Sequence, residues 1–149
     1  MKVDIFQYGP YGLCGIEFLP MAKNSRFSVI FIPGLTEGFL QPKYVTSLAE
    51  FLCERKIRFF QPLLRSSYGG WGSSDLRQDS EDLKNFISEI SENRGVGEIV
   101  LMGHSTGCQD ILKFLENSEN IKAAILQAPV SDREAFDAAC AANMEIYQI

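Results

Sequence analysis

Four short apolar runs, each closed by a turn-forming stretch and each followed by a helical pattern, constrain this chain's fold more than any other feature. Ser28-Val29-Ile30-Phe31-Ile32 stops at Pro33-Gly34, and Arg58-Phe59-Phe60-Gln61 stops at Pro62. Glu98-Ile99-Val100-Leu101-Met102 runs into Gly103, and Lys122-Ala123-Ala124-Ile125-Leu126-Gln127 into Ala128-Pro129. Nearly continuous apolar runs of this length are strands buried on both faces. Between them, Tyr44, Val45, Leu48, Phe51 and Leu52 recur at helical spacing, as do Leu83, Phe86, Ile87 and Ile90, and then Cys108, Ile111, Leu112 and Leu115. Ser80 and the acids around it suit the first turns of the second helix, and 133–142 reads as a fourth. Strand and helix in alternation imply parallel strands joined by right-handed crossovers. The expected fold is therefore α/β, a doubly wound, mostly parallel sheet with helices on both faces.

Ahead of this pattern, Lys2 to Tyr8 and Leu13 to Leu19 flank Gly9-Pro10-Tyr11-Gly12 and read as a hairpin. No linker or repeat divides the chain, so 1–149 is expected to be a single domain. The stretch 143–149 carries no assignable feature. Hydrophobic residues make up 46% and charged residues 22%, ordinary usage for a folded chain. The net charge of -5, with scattered basic residues, excludes the footprint of a nucleic-acid or anionic-membrane binder. The amino terminus has no apolar run of signal-peptide length, and nothing approaches the ~20 apolar residues of a membrane span. Cys14, Cys53, Cys108 and Cys140 are widely spaced, with no CxxC pair and no histidine set for zinc. Reduced thiols in the cytoplasm are expected, with no metal and no cofactor.

Gly103-His104-Ser105-Thr106-Gly107 fits G-x-S-x-G and lies after a buried strand and before an amphipathic helix, the context that gives the pattern meaning. A turn that lifts Ser105 above the sheet needs small residues two before and two after it, and Gly103 and Gly107 meet that need. The helix beginning here would aim its free amides at the reacting centre, so the Thr106 N–H is a candidate oxyanion donor. The second donor in such a site comes from the loop after an earlier strand. Here Gly34 would let the chain turn so that the N–H of Leu35, with Thr36 as the alternative, faces Ser105. The alternative is an ordinary glycine turn between strand and helix.

Four segments together resemble one family. They are the elbow Gly-His-Ser-Thr-Gly-Cys-Gln-Asp, the loop Phe-Ile-Pro-Gly-Leu-Thr-Glu-Gly, Ser66-Ser67-Tyr68-Gly69-Gly70-Trp71-Gly72, and Gln127-Ala128-Pro129-Val130-Ser131-Asp132-Arg133-Glu134. The chain is similar to a little-characterised α/β-hydrolase family that includes fungal esterases opening ester-linked siderophores. Family members are about twice this length. The resemblance therefore implies the amino-terminal half of an α/β-hydrolase domain, ending after the strand that follows the elbow, and a small-molecule ester substrate.

An activated serine needs a base, and the base needs a group to orient it. The sequence contains one histidine, His104, and the residue just before the elbow serine faces away from it. His104 is thus expected to support the turn from below. Asp132 follows the strand after the elbow and is the candidate acid; its plainer role is a helix N-cap. Tyr68, Trp71 and Phe39 either line an ester pocket or pack on the sheet. Without a histidine base, weak residual hydrolysis is the most expected of this chain alone. The rival expectation is a non-catalytic binding module of the same fold. If the strand from Lys122 to Gln127 closes the sheet, its bare apolar edge invites self-association.

Overall fold

A computed structural model describes residues 2–19, 25–118 and 120–146, without the side chains of 136 and 142–146. Six strands form one sheet: β1 (Val3–Tyr8), β2 (Leu13–Phe18), β3 (Phe27–Ile32), β4 (Arg58–Pro62), β5 (Glu98–His104) and β6 (Ala123–Gln127). Their order is β1-β2-β4-β3-β5-β6. The hairpin β1–β2 is antiparallel and β2 also runs antiparallel to β4, whereas β4, β3, β5 and β6 are mutually parallel. Four helices connect and flank them: α1 (Val45–Glu54), α2 (Leu76–Arg94), α3 (Gly107–Leu115) and α4 (Asp132–Ile146). This is the expected doubly wound α/β architecture.

Period-two alternation along the central strands sorts the core into two layers. Ile30 and Ile32 of β3 and Phe60 of β4 point to one side, where Leu83, Phe86 and Ile90 of α2 and Ile111 and Phe114 of α3 close over them. Val29, Phe31 and Phe59 point to the other, against Val45, Ala49 and Cys53 of α1. Two helix faces differ from the sequence-based stripes. On α1, Phe51 is exposed beneath the Arg55 guanidinium, and the small Ala49 and Cys53 take the sheet side. On α3, Leu112 is exposed and Phe114 is buried in its place. Close approach of helix to sheet selects side-chain size as well as polarity, which a hydrophobic stripe does not encode.

The start of α2 also lies earlier than expected. Asp75, not Ser80, is the N-cap: its carboxylate accepts the Gln78 N–H at 2.8 Å, while Gln78 Oε1 accepts the Asp75 N–H at 3.1 Å. This reciprocal box satisfies two otherwise orphaned donors. Ser80 sits one turn inside the helix. α4 continues past Ala142 to Ile146, and 147–149 of the unassigned tail lie outside the described residues.

Strand register sets the site. Ile32 pairs with Gly103 and His104 with Gln127, so the carboxyl ends of β3, β5 and β6 are level on one rim. At the far side, β6 pairs only with β5 among the described residues, and Ile125 and Leu126 are 48% and 37% exposed. No described helix is long and apolar enough to cross a membrane.

Candidate active site at the strand ends

The turn between β5 and α3 has the backbone shape that the G-x-S-x-G spacing demands. Ser105 holds φ at +54°, a left-handed conformation uncommon for a residue with a side chain. Its own N–H donates to the Gln127 carbonyl of β6 at 3.0 Å, and its carbonyl accepts the Cys108 N–H at 3.1 Å, so the bend is pinned from both sides. The flanking glycines are required by contact. A Cβ on Gly107 would lie 2.4 Å from the Ile32 and Pro33 carbonyl oxygens, and one on Gly103 would lie 2.9 Å from the Gly107 backbone. Side chains do not fit at such distances, so a larger residue at either position would push the helix off the strand.

The N–H groups of Leu35 and Thr106 make no hydrogen bond among the described residues, and neither do those of Thr36 and Gly107 beside them. The Ser105 hydroxyl likewise has no partner among them. The loop carrying Leu35 touches the elbow directly: a Cβ on Gly34 would be 3.0 Å from Ser105 Cβ. At such a helix start a hydroxyl can attack a carbonyl carbon, and free amides nearby can donate to the negative oxygen that forms.

The sequence did not single out Glu37, yet it organises the loop. Its Oε2 accepts the Gly34 N–H at 2.6 Å and lies 3.0 Å from His104 Nδ1. The His104 ring meets Tyr44 edge to face at 6.2 Å, and the Tyr44 hydroxyl bonds to the Gln127 side chain. His104 thus links the loop after β3 to the elbow through Glu37 and packs on Tyr44, which bonds to β6. The Gly-x-x-Glu spacing at Gly34 was the one available signal, a side chain folding back across a tight turn. Gln61, fully buried at the end of β4, clamps the same loop: its amide donates to the Gly38 and Gln41 carbonyls and its Oε1 accepts the Leu40 N–H. Gln61→Leu leaves three backbone groups unpaired and should lower stability by about 2–3 kcal/mol; urea unfolding measures it.

Asp132 is not the cap of α4. Ser131 is, with its hydroxyl accepting the Glu134 N–H at 3.3 Å, and Asp132 opens the first turn. Nor is Asp132 the partner of His104, which pairs with Glu37. It lines a cavity of about 310 Å³ beside the elbow, together with Leu35, Thr106, Trp71, Asp79 and Asp110. Burial, then repulsion from Asp79 and Asp132, pushes the Asp110 carboxyl up to about 8. The three loop aromatics divide: Trp71 lines this cavity, Phe39 packs against the α1 layer, and the Tyr68 hydroxyl accepts the Phe39 N–H at 2.9 Å. A larger cavity, about 480 Å³, lies among Tyr11, Arg65, Arg77 and Lys84, and no residue of the elbow lines it.

Comparison with known proteins places this geometry. The chain is 41% identical over 133 residues to the UPF0613 protein PB24D3.06c of Schizosaccharomyces pombe, covering 84% of this chain and 42% of that protein. It is 32% identical over 150 residues to the fusarinine C esterase sidJ of Aspergillus fumigatus, covering 83% and 42%. The solved siderophore hydrolase EstB from Aspergillus fumigatus superposes with a TM-score of 0.76 at 31% identity, over 92% of this chain and 45% of that one. The chain thus spans about two fifths of the length of the curated relatives it matches. Residues 5–148 match the family described as protein of unknown function DUF1749, and the chain belongs to that family of α/β-hydrolase-fold proteins.

Proposed function

We propose that this chain carries the nucleophile of a serine ester hydrolase acting on small carboxylic esters. The observation that carries the proposal is Ser105 at φ +54° between β5 and α3, with its hydroxyl and the Leu35 and Thr106 amides of the adjoining loops unpaired among the described residues. In this scheme Ser105 Oγ bonds to the ester carbonyl carbon, the carbonyl π pair moves to oxygen, and the two N–H groups hold that oxyanion. The tetrahedral intermediate collapses to a Ser105 acyl ester and the alcohol, which takes up through solvent the proton lost by Oγ. Attack of a water molecule on the acyl ester then releases the carboxylic acid and restores the hydroxyl. Esterase names among the relatives support the substrate class.

The hydroxyl proton needs an acceptor, and the single histidine is held by Glu37. The chain by itself should therefore hydrolyse activated esters weakly, at about 10³–10⁴ over water, the level an oxyanion hole and binding sustain without a triad. Asp132, on the same rim, remains the candidate acid for a base supplied from elsewhere. Fluorophosphonate labelling tests the scheme: a stoichiometric adduct on a Ser105 peptide is expected. Folded protein that takes up no probe would point instead to a binding module of the same fold. A base donated by a second copy would make specific activity climb with protein concentration.

The exposed edge of β6 supports self-association of this chain, and its four free thiols support the reducing, cytoplasmic setting. Sedimentation velocity should show dimers growing with concentration, and Ile125→Lys should shift the population toward monomer about tenfold. A strictly monomeric parent at high concentration would remove the idea.

A further inference from the structure

The cavity beside the elbow has a charge pattern of which the ester scheme uses Asp132 alone. Asp110, in the first turn of α3, is only 7% exposed, lines the cavity, and has no hydrogen-bond donor to its carboxyl among the described residues. Asp79 of α2 is 4% exposed on the same wall and is held by the Ser74 hydroxyl at 3.1 Å. Asp132 at the start of α4 and Asp75 at the start of α2 face the same space. Buried carboxyls are ordinarily paired with a cation or satisfied by donors. Here no basic side chain among the described residues lines the cavity, and Arg65 is taken by Asp82 at 2.9 Å and Glu81 at 3.0 Å. The lining also includes Ser66, Ser67 and Ser74, which accept and donate, and Trp71, whose ring attracts a cation, together with apolar residues such as Leu64 and Leu76. Among the described residues no three acidic, histidine or cysteine side chains converge closely enough to ligate one metal ion, so the charge suits a larger organic cation.

We propose that this cavity is a subsite for an alkylammonium group, with Asp110 as its principal counter-ion, Asp79 and Asp132 adding field, and Trp71 covering it. Thr106 and Leu35 line the same cavity. A substrate seated there would carry its ammonium within a few bonds of the ester. That role in the substrate rests on the ester-hydrolase scheme, whereas binding of the cation does not. The structural role of Asp110, a carboxylate complementing the α3 dipole, needs no ligand and predicts no selectivity.

Trp71 is the only tryptophan and reports directly on the site. Titration of the full chain with n-pentylammonium chloride at constant ionic strength should change its fluorescence saturably. 1-Pentanol should bind at least tenfold more weakly. Affinity should rise at least fivefold from pH 6 to pH 9, because the cation and the proton compete for Asp110 among Asp75, Asp79 and Asp132. Asp110→Asn should weaken binding at least tenfold with an unchanged far-ultraviolet spectrum, and Asp132→Asn should weaken it about threefold. Ser105→Ala should bind as the parent does. Equal affinity for the alcohol, undiminished binding in folded Asp110→Asn, a response to magnesium chloride alone, or no saturable response at all would each overturn the subsite. A parent protein that takes up no fluorophosphonate at Ser105 yet binds the ammonium selectively would sink the ester-hydrolase scheme and leave the subsite standing.

Discussion

Ser105→Ala is expected to abolish fluorophosphonate labelling, a loss of at least a hundredfold in adduct rate, while the melting temperature moves by no more than about 2 °C. The two halves of that expectation come from the same observation. The Ser105 hydroxyl has no partner among the described residues, so its removal strands no buried donor or acceptor. Alanine also keeps the +54° backbone, which the pinned bend imposes whatever the side chain. Ser105→Gly separates strain from chemistry. Glycine adopts a left-handed φ without steric penalty, so this variant should be equally unlabelled yet more stable by about 1 kcal/mol. Strain held at the residue that bears the reactive group, and released only when its Cβ is removed, is the signature of a bend maintained for function. Mass spectrometry of the labelled peptide and differential scanning calorimetry of the three proteins decide the matter. Parent-like labelling of Ser105→Ala would assign the reactivity to another serine, and a less stable glycine variant would remove the strain argument.

The large features of the fold were legible because they rest on local signals. Apolar runs of strand length, Gly9-Pro10-Tyr11-Gly12 in the hairpin and glycines two residues either side of Ser105 each encode their structure within a few positions. The elbow could be read because contact with the Ile32 and Pro33 carbonyls leaves room for glycine alone at 107. Carboxylates were less legible. Glu37, Asp75, Asp79 and Asp110 are all short polar residues near turns or helix starts, and sequence does not distinguish one that faces water from one that faces another loop. Glu37 acquires its role only because His104 is brought beneath Gly34 by the register of β3 with β5. Asp110 acquires its own because α2 and α4 place two further acids against it. Such roles depend on long-range contacts that no window along the chain contains. The misjudged helix faces follow the same rule. Phe51 and Leu112 satisfied the hydrophobic period, but the distance from helix to sheet favoured Ala49, Cys53 and Phe114.

Asp110→Asn should stabilise the chain, and more so as pH rises, which is the reverse of what most core substitutions do. An unfolded aspartate ionises near 3.8, whereas in the fold the Asp110 carboxyl holds its proton up to about 8. Between these values the folded state binds a proton that the unfolded state has released. Stability then falls as pH climbs through that window, because the slope follows the protons bound by the unfolded minus the folded state. Below pH 4 both states are protonated, and the neutral acid and asparagine are nearly equivalent. From pH 5 to pH 8 the parent should lose about 2–4 kcal/mol that the variant keeps, opening a gap in melting temperature of about 5–10 °C. A bound alkylammonium should close that gap in the parent alone, since it supplies the positive charge that the ionised carboxyl lacks. Melting curves at pH 5 and pH 8, with and without n-pentylammonium, test both steps. A variant less stable than the parent at pH 8 would mean that Asp110 is an ordinary structural carboxylate. A gap that opens with pH and closes with the amine would show a fold that tolerates an unfavourable buried acid because a ligand completes it.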